Sequence, residues 1–165
     1  MVFPSLSLFD LCQWLEHTPL ATTINESLWL FPVIEGSHIL ALPLSVGMIV
    51  IFDLRLLGLA FRGGRITDQF LRWSKFGFAV MLTTGVLLFI SQADKAYGNR
   101  FFRTKMLLLL VMGINAAVYQ FMFYPKMAQW DSAGKTPAGA KLCAALSLVV
   151  WIGVIVCGRT MAYEF

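Results

Sequence analysis

Residues 28–52 read LWLFPVIEGSHILALPLSVGMIVIF, an apolar run whose only ionisable groups are Glu35 and His38. The hydrocarbon core of a bilayer is about 30 Å thick and takes roughly 20 helical residues to cross, so this run predicts a transmembrane helix. Working outward, runs at about 73–93, 106–124 and 142–158 have the length for three more. Only helices and closed barrels satisfy their backbone in lipid, and no run alternates with the two-residue period of a barrel strand. The expected fold is therefore all-α and integral to the membrane, a four-transmembrane-helix bundle forming one domain over residues 1–165. Composition agrees: 58% of residues are hydrophobic and 13% charged, against roughly 45–50% and about 25% in soluble domains. A mean hydropathy of +0.73 leaves no polar shell for a small core, so the lipid bilayer is the expected solvent. Disorder, a coiled coil and almost any water-soluble domain of this size are excluded.

Residues 1–27 precede the first span. In SLSLFDLCQWLEH (5–17), Leu8, Leu11, Cys12 and Leu15 fall on one helical face, and Asp10, Gln13 and His17 on another. This predicts an interfacial amphipathic helix from about Leu6 to Glu16, ended by Pro19. It is not read as a signal peptide, because no Lys or Arg precedes Arg55. RGG at 62–64 and SAGKTPAG at 132–139 read as loops. Cys12, Cys143 and Cys157 show no ligand or disulfide spacing. Lys and Arg number none before the first span, five at 55–75, four at 95–105, three at 126–141 and one, Arg159, after the last. With both termini outside, eight lie inside and five outside, the orientation the positive-inside rule favours. Basic residues spread between apolar runs describe topology and exclude a nucleic-acid face. The loop at 91–105, with Lys95, Arg100, Arg103 and Lys105 against Asp94, then lies on the disfavoured side, where an anionic ligand or a flanking anchor would account for it.

Glu35 and His38 carry the chemistry. Three residues apart, they share a helical face, roughly 9 Å and 14 Å below Trp29 at 1.5 Å per residue. Ionisable groups at that depth face the bundle interior and need partners. A polar packing contact, with His38 bonded to Asn115 or a threonine, is one reading. The other readings are a haem ligand, a proton relay and a solute site. A di-iron centre needs two Glu-x-x-His pairs plus further glutamates, and this chain has one pair. Haem b needs one axial imidazole, an apolar slot and cations for its propionates. His38 would be its metal ligand, Glu35 would orient the imidazole, and Arg100, Arg103 and Lys105 would hold the propionates, with Asn115 a mid-membrane amide nearby. A sixth ligand would come from His17, Met81, Met112 or His38 of a second copy. The resulting expectation is electron transfer to or from a quinone or another redox partner, in a homo-oligomer. The alternatives are a proton or solute path through Glu35, His38 and Asn115, and a non-catalytic accessory subunit. Asp53 with Arg55 reads as a topology anchor or surface ion network. A nucleophile elbow and a phosphate-binding glycine loop are both missing from the sequence, so no enzyme class is signalled.

ESLWLFPVIEGSHILALPLSVGMIVIFDLRLLG, KFGFAVMLTTGVLLFIS, YGNRFFRTKMLLLLVMGINA and GRTMAY together resemble a widespread bacterial inner-membrane family that carries only a domain-of-unknown-function label. The resemblance covers nearly the whole chain. It implies a small four-helix protein of the bacterial inner membrane and supplies no activity. Glu35, His38, Asp53, Arg55, Asn99, Arg103, Lys105 and Asn115 match its pattern, and His17 does not. In plan only, the chain is also similar to four-helix b-type cytochromes, from which its single intramembrane histidine departs.

Overall fold

The computed structural model describes residues 8–59, 64–132 and 135–163. The expected helix start at Leu6, residues 62–63 of the RGG loop and residues 133–134 of the second loop lie outside the described residues. Among the described residues every regular element is helical: α1 (Leu8–Glu16), α2 (Pro19–Glu26), α3 (Leu30–Leu42), a π-turn (Pro43–Gly47), α4 (Met48–Leu57), α5 (Gly64–Ser91), α6 (Ala93–Gly98), α7 (Arg100–Val118), a second π-turn (Tyr119–Phe123), a 3-10 turn (Tyr124–Lys126), α8 (Met127–Ser132) and α9 (Ala138–Met161). Four stretches are long and apolar enough to cross a membrane: Leu30–Leu57, Arg72–Ser91, Arg100–Trp130 and Ala138–Met161.

Local chemistry sets the boundaries. Thr18 is extended ahead of Pro19, which opens α2 in the first helical position, where its missing N–H costs nothing. Asn99 is extended, and its Oδ1 accepts from Phe101 N (2.8 Å) and Phe102 N (3.1 Å). That cap starts α7 at Arg100, six residues before the apolar run at 106. Gly58, at φ 82°, closes α4 in the left-handed conformation.

Pro43 interrupts the first span. It has no N–H to give and its ring crowds the carbonyl four residues back, and the helix absorbs this in a wide turn from Pro43 to Gly47. Ser45 in that turn is fully buried; its hydroxyl donates to Ala41 O (2.9 Å), and its carbonyl accepts from Ser74 Oγ (3.1 Å) on α5.

The long helices pack as two pairs, α3 with α5 and α7 with α9, and α4 touches both α5 and α9. Where all meet, Ala41, Val46, Met81, Met112, Val150, Trp151 and Val154 form the core. One end of the bundle is capped by α1, α2 and α6. There α1 packs on α6 and α5, and α2 packs on α5 and α3. Asp94 N donates to Glu16 Oε2 (3.0 Å) and Asn25 Nδ2 to Ser91 O (2.8 Å). Here α1 buries Cys12 and leaves Leu8, Leu11 and Trp14 exposed. At the opposite end Phe52, Leu56 and Ala144 form a second cluster, with Tyr119, Met127 and Trp130 against it.

Candidate functional site

The α3–α5 interface holds His38. Its Nδ1 lies 2.9 Å from Thr84 Oγ1. The Thr84 hydroxyl has one proton, and that oxygen also lies 2.7 Å from Val80 O and 3.2 Å from Met81 O, which can only accept. Thr84 therefore donates to its own helix and accepts from Nδ1–H, a tautomer assigned from the network, which leaves Nε2 with its lone pair. The imidazole fits against α5 because residue 85 is glycine: a Cβ there would stand 3.2 Å from His38 Cε1.

From the other helix pair comes Lys105. It is half-buried on α7, with its stem laid along α9 where Gly158 leaves room; a Cβ at Gly158 would lie 3.5 Å from Nζ and 3.9 Å from Cε. Cys157 and His38 are both within electrostatic reach of this ammonium. Among the described residues no carboxylate pairs with Lys105 and it makes no hydrogen bond. A partly desolvated cation without a counter-charge favours an anionic or strongly accepting ligand. Toward the cap, Phe89 of α5 stacks on Phe102 of α7 with centroids 5.4 Å apart and planes 6° from parallel. The His38–Lys105 layer thus sits between this stack and the core, where α3 packs on α5 and α2 and not closely on α7 or α9.

Several sequence expectations change. Glu35 does not face the interior. It is exposed and, among the described residues, forms no hydrogen bond or ion pair, so Thr84 takes the orienting place expected of it. Arg100 and Arg103 are exposed at the cap end, with the Arg103 guanidinium 5.8 Å from the Tyr97 ring centroid. Of the three cations, Lys105 alone turns inward. Asn115 donates to Cys143 O (3.0 Å) and ties α7 to α9. His17 is exposed after α1, the Met81 sulfur lies 3.6 Å from Ser45 Oγ, and Met112 is in the core. Asp53 is no surface anchor: it is 5% exposed and bonded to the Ser147 side chain. Thr84, Gly85 and Gly158 were missed as site residues. Their only signal was small or hydroxylic residues in apolar helices, which ordinary helix packing also uses.

Among the described residues no three His, Cys, Asp or Glu side chains gather as a metal-ligand set. A protein-family model described as a family of unknown function, DUF6644, matches residues 30–164. Neither the curated proteins nor the solved structures contain a match to the chain.

Proposed function

Since the chain belongs to the DUF6644 family, to which no activity is attached, we propose its function from its own geometry: a multi-pass protein of the bacterial inner membrane that binds b-type haem through His38 and passes electrons to or from a quinone. The observation that carries this reading is the Nδ1–H bond to Thr84, which leaves Nε2 with a lone pair that would hold the haem iron. Lys105 supplies a partly buried cation for one propionate, and Arg103 and Arg100 stand at the cap surface for the other. When bound, the haem supplies one-electron chemistry. The protein's part is to fix the imidazole, neutralise the propionates and keep water out with the Phe89–Phe102 stack. Both termini lie outside, so the cap end faces outward; the eight-to-five charge balance supports this. Met81 and Met112 are held in the core and His17 is exposed, so a second protein ligand to the iron would come from His38 of a second copy, in a homo-oligomer.

Visible spectra of the purified protein, oxidised and reduced, test the proposal. Wild type produced with ample haem is expected to show a Soret band and reduced α and β bands, and His38→Ala to lose them. A colourless wild type, or a spectrum indifferent to His38→Ala, overturns it. The break at Pro43–Gly47 beside the buried Ser45 and Ser74 favours a second reading, proton or solute movement, because transporters use broken helices at mid-membrane. Flux into proteoliposomes by a colourless protein would select that reading.

A further inference from the structure

Beyond the π-turn from His38, on α4, Asp53 is buried at 5% exposure a single turn from the helix end at Leu57. The Ser147 side chain on α9 bonds to its carboxyl, and Oδ2 has no hydrogen-bond partner. No cation faces it. From α9 come Ser147 and Cys143, the thiol within electrostatic reach. Tyr119 packs edge-on against the neighbouring Phe52, with centroids 5.6 Å apart. Arg55 lies two residues on, which is the other side of the same helix, and Arg72 and Lys75 of α5 are exposed. The π-turn contributes no titratable group. One turn further along the Ser147 strip of α9, Trp151 is 3% exposed and its Nε1–H is a second buried polar group without a partner. A lone acceptor bonded to Ser147, and a lone donor one helical turn beyond Ser147 on α9, are the kind of groups that internal water joins.

We propose that Asp53 is a proton-carrying site: its Oδ2 takes a proton from water entering at the adjacent bundle end and returns it, with Ser147 holding the carboxyl in place and Trp151 Nε1–H lining the next step inward. The step balances within itself. An O–H bond forms at Oδ2 as one breaks on a hydronium ion, leaving water, and the reverse restores the carboxylate. Among the described residues the buried carboxyl has one hydroxyl partner and no counter-cation, an arrangement in which holding a bare charge is costly. This site does not rest on the haem reading, since every group in it belongs to the chain and lies across the π-turn from His38.

The experiment uses the full-length protein in phosphatidylcholine vesicles, with dicyclohexylcarbodiimide as the probe, because it attacks protonated carboxyls in apolar surroundings. Mass spectrometry is expected to find the adduct on Asp53, declining as pH rises, and to lose it in Asp53→Asn. Infrared titration of the same vesicles is expected to show a carboxylic C=O band that shifts in heavy water and disappears at alkaline pH. If Asp53→Asn does not fold, Ser147→Ala serves instead: it keeps the carboxyl and is expected to displace that band by removing its hydrogen bond. An unmodified Asp53 at every pH overturns the proposal. So does a carboxylic band that is absent across neutral pH, or one that neither exchanges in heavy water nor moves in Ser147→Ala.

Discussion

At the scale of single residues, the decisive group is a threonine. Threonines in apolar helices commonly bond back to the carbonyl four residues earlier, and Thr83 does only that, to Ala79 O at 2.9 Å. Thr84 makes the same bond and so has a lone pair to offer, and its position opposite α3 gives that lone pair to His38. Thr84→Val keeps the shape and removes one acceptor, leaving the half-buried imidazole with its contact to the Met81 backbone. The expected cost is that of one net hydrogen bond, about 0.5–1.5 kcal/mol, measured as a lower thermal unfolding midpoint in detergent, with Thr84→Ser restoring most of it. If haem is bound, Thr84→Val is also expected to broaden or shift its bands, because the ring loses the contact that fixes its angle. Equal stability of the valine and serine variants would show that the bond orients nothing.

At the scale of elements, the π-turn is what α5 is built to receive. A Cβ at Gly77 would stand 2.7 Å from Ser45 N and 2.9 Å from Leu44 C, both backbone atoms that cannot swing aside. Gly77→Ala is therefore expected to destabilise by about 1–3 kcal/mol through overpacking. Gly113→Ala, where a Cβ meets nothing within 4 Å, is expected to be neutral or slightly stabilising. Comparing the two unfolding midpoints checks this, since matched midpoints would deny the close approach. The helical class and the four long apolar stretches were legible in the sequence because hydropathy sums over some twenty residues and tolerates error at each. Helix ends were less so: Arg100, Arg103 and Lys105 read as a loop by charge, yet the Asn99 cap makes them the first turns of α7. Facing was the least legible. Glu35 and His38 share a face by spacing, but three residues still differ by about 60° around the axis, enough to leave one exposed and the other against Thr84. Asp53 looked terminal because the apolar run stops at Phe52, whereas α4 continues to Leu57 and carries the carboxyl inside. Which threonine, glycine or lysine meets His38 depends on how helices pair, and no local pattern encodes that.

At the scale of the molecule, the fold separates two polar layers along one axis, and orientation decides which faces which compartment. His38 and Lys105 lie toward the end capped by α1, α2 and α6, while Asp53 lies toward the end where α4 stops. The cap is tied together by Glu16 and to the bundle by Asn25, and it leaves Leu8, Leu11 and Trp14 exposed, as suits a helix lying at the lipid boundary. Those bonds hold Gln13 and the start of α3 on the same side, and three crossings then put Lys135 on the other. Gln13 and Lys135 are both exposed, so each can carry a reporter cysteine without disturbing the packing. Of the native thiols, Cys143 and Cys157 need replacing. Cys12 can remain, because burial and then the Asp94 carboxylate push its thiol up and keep it protonated and unreactive. In intact cells a membrane-impermeant maleimide is expected to label Gln13→Cys and to spare Lys135→Cys until the membrane is opened. The reverse pattern would turn the molecule over, placing the His38 layer on the cytoplasmic side and Asp53 toward the outside. Labelling of both before permeabilisation would break the four-crossing topology itself.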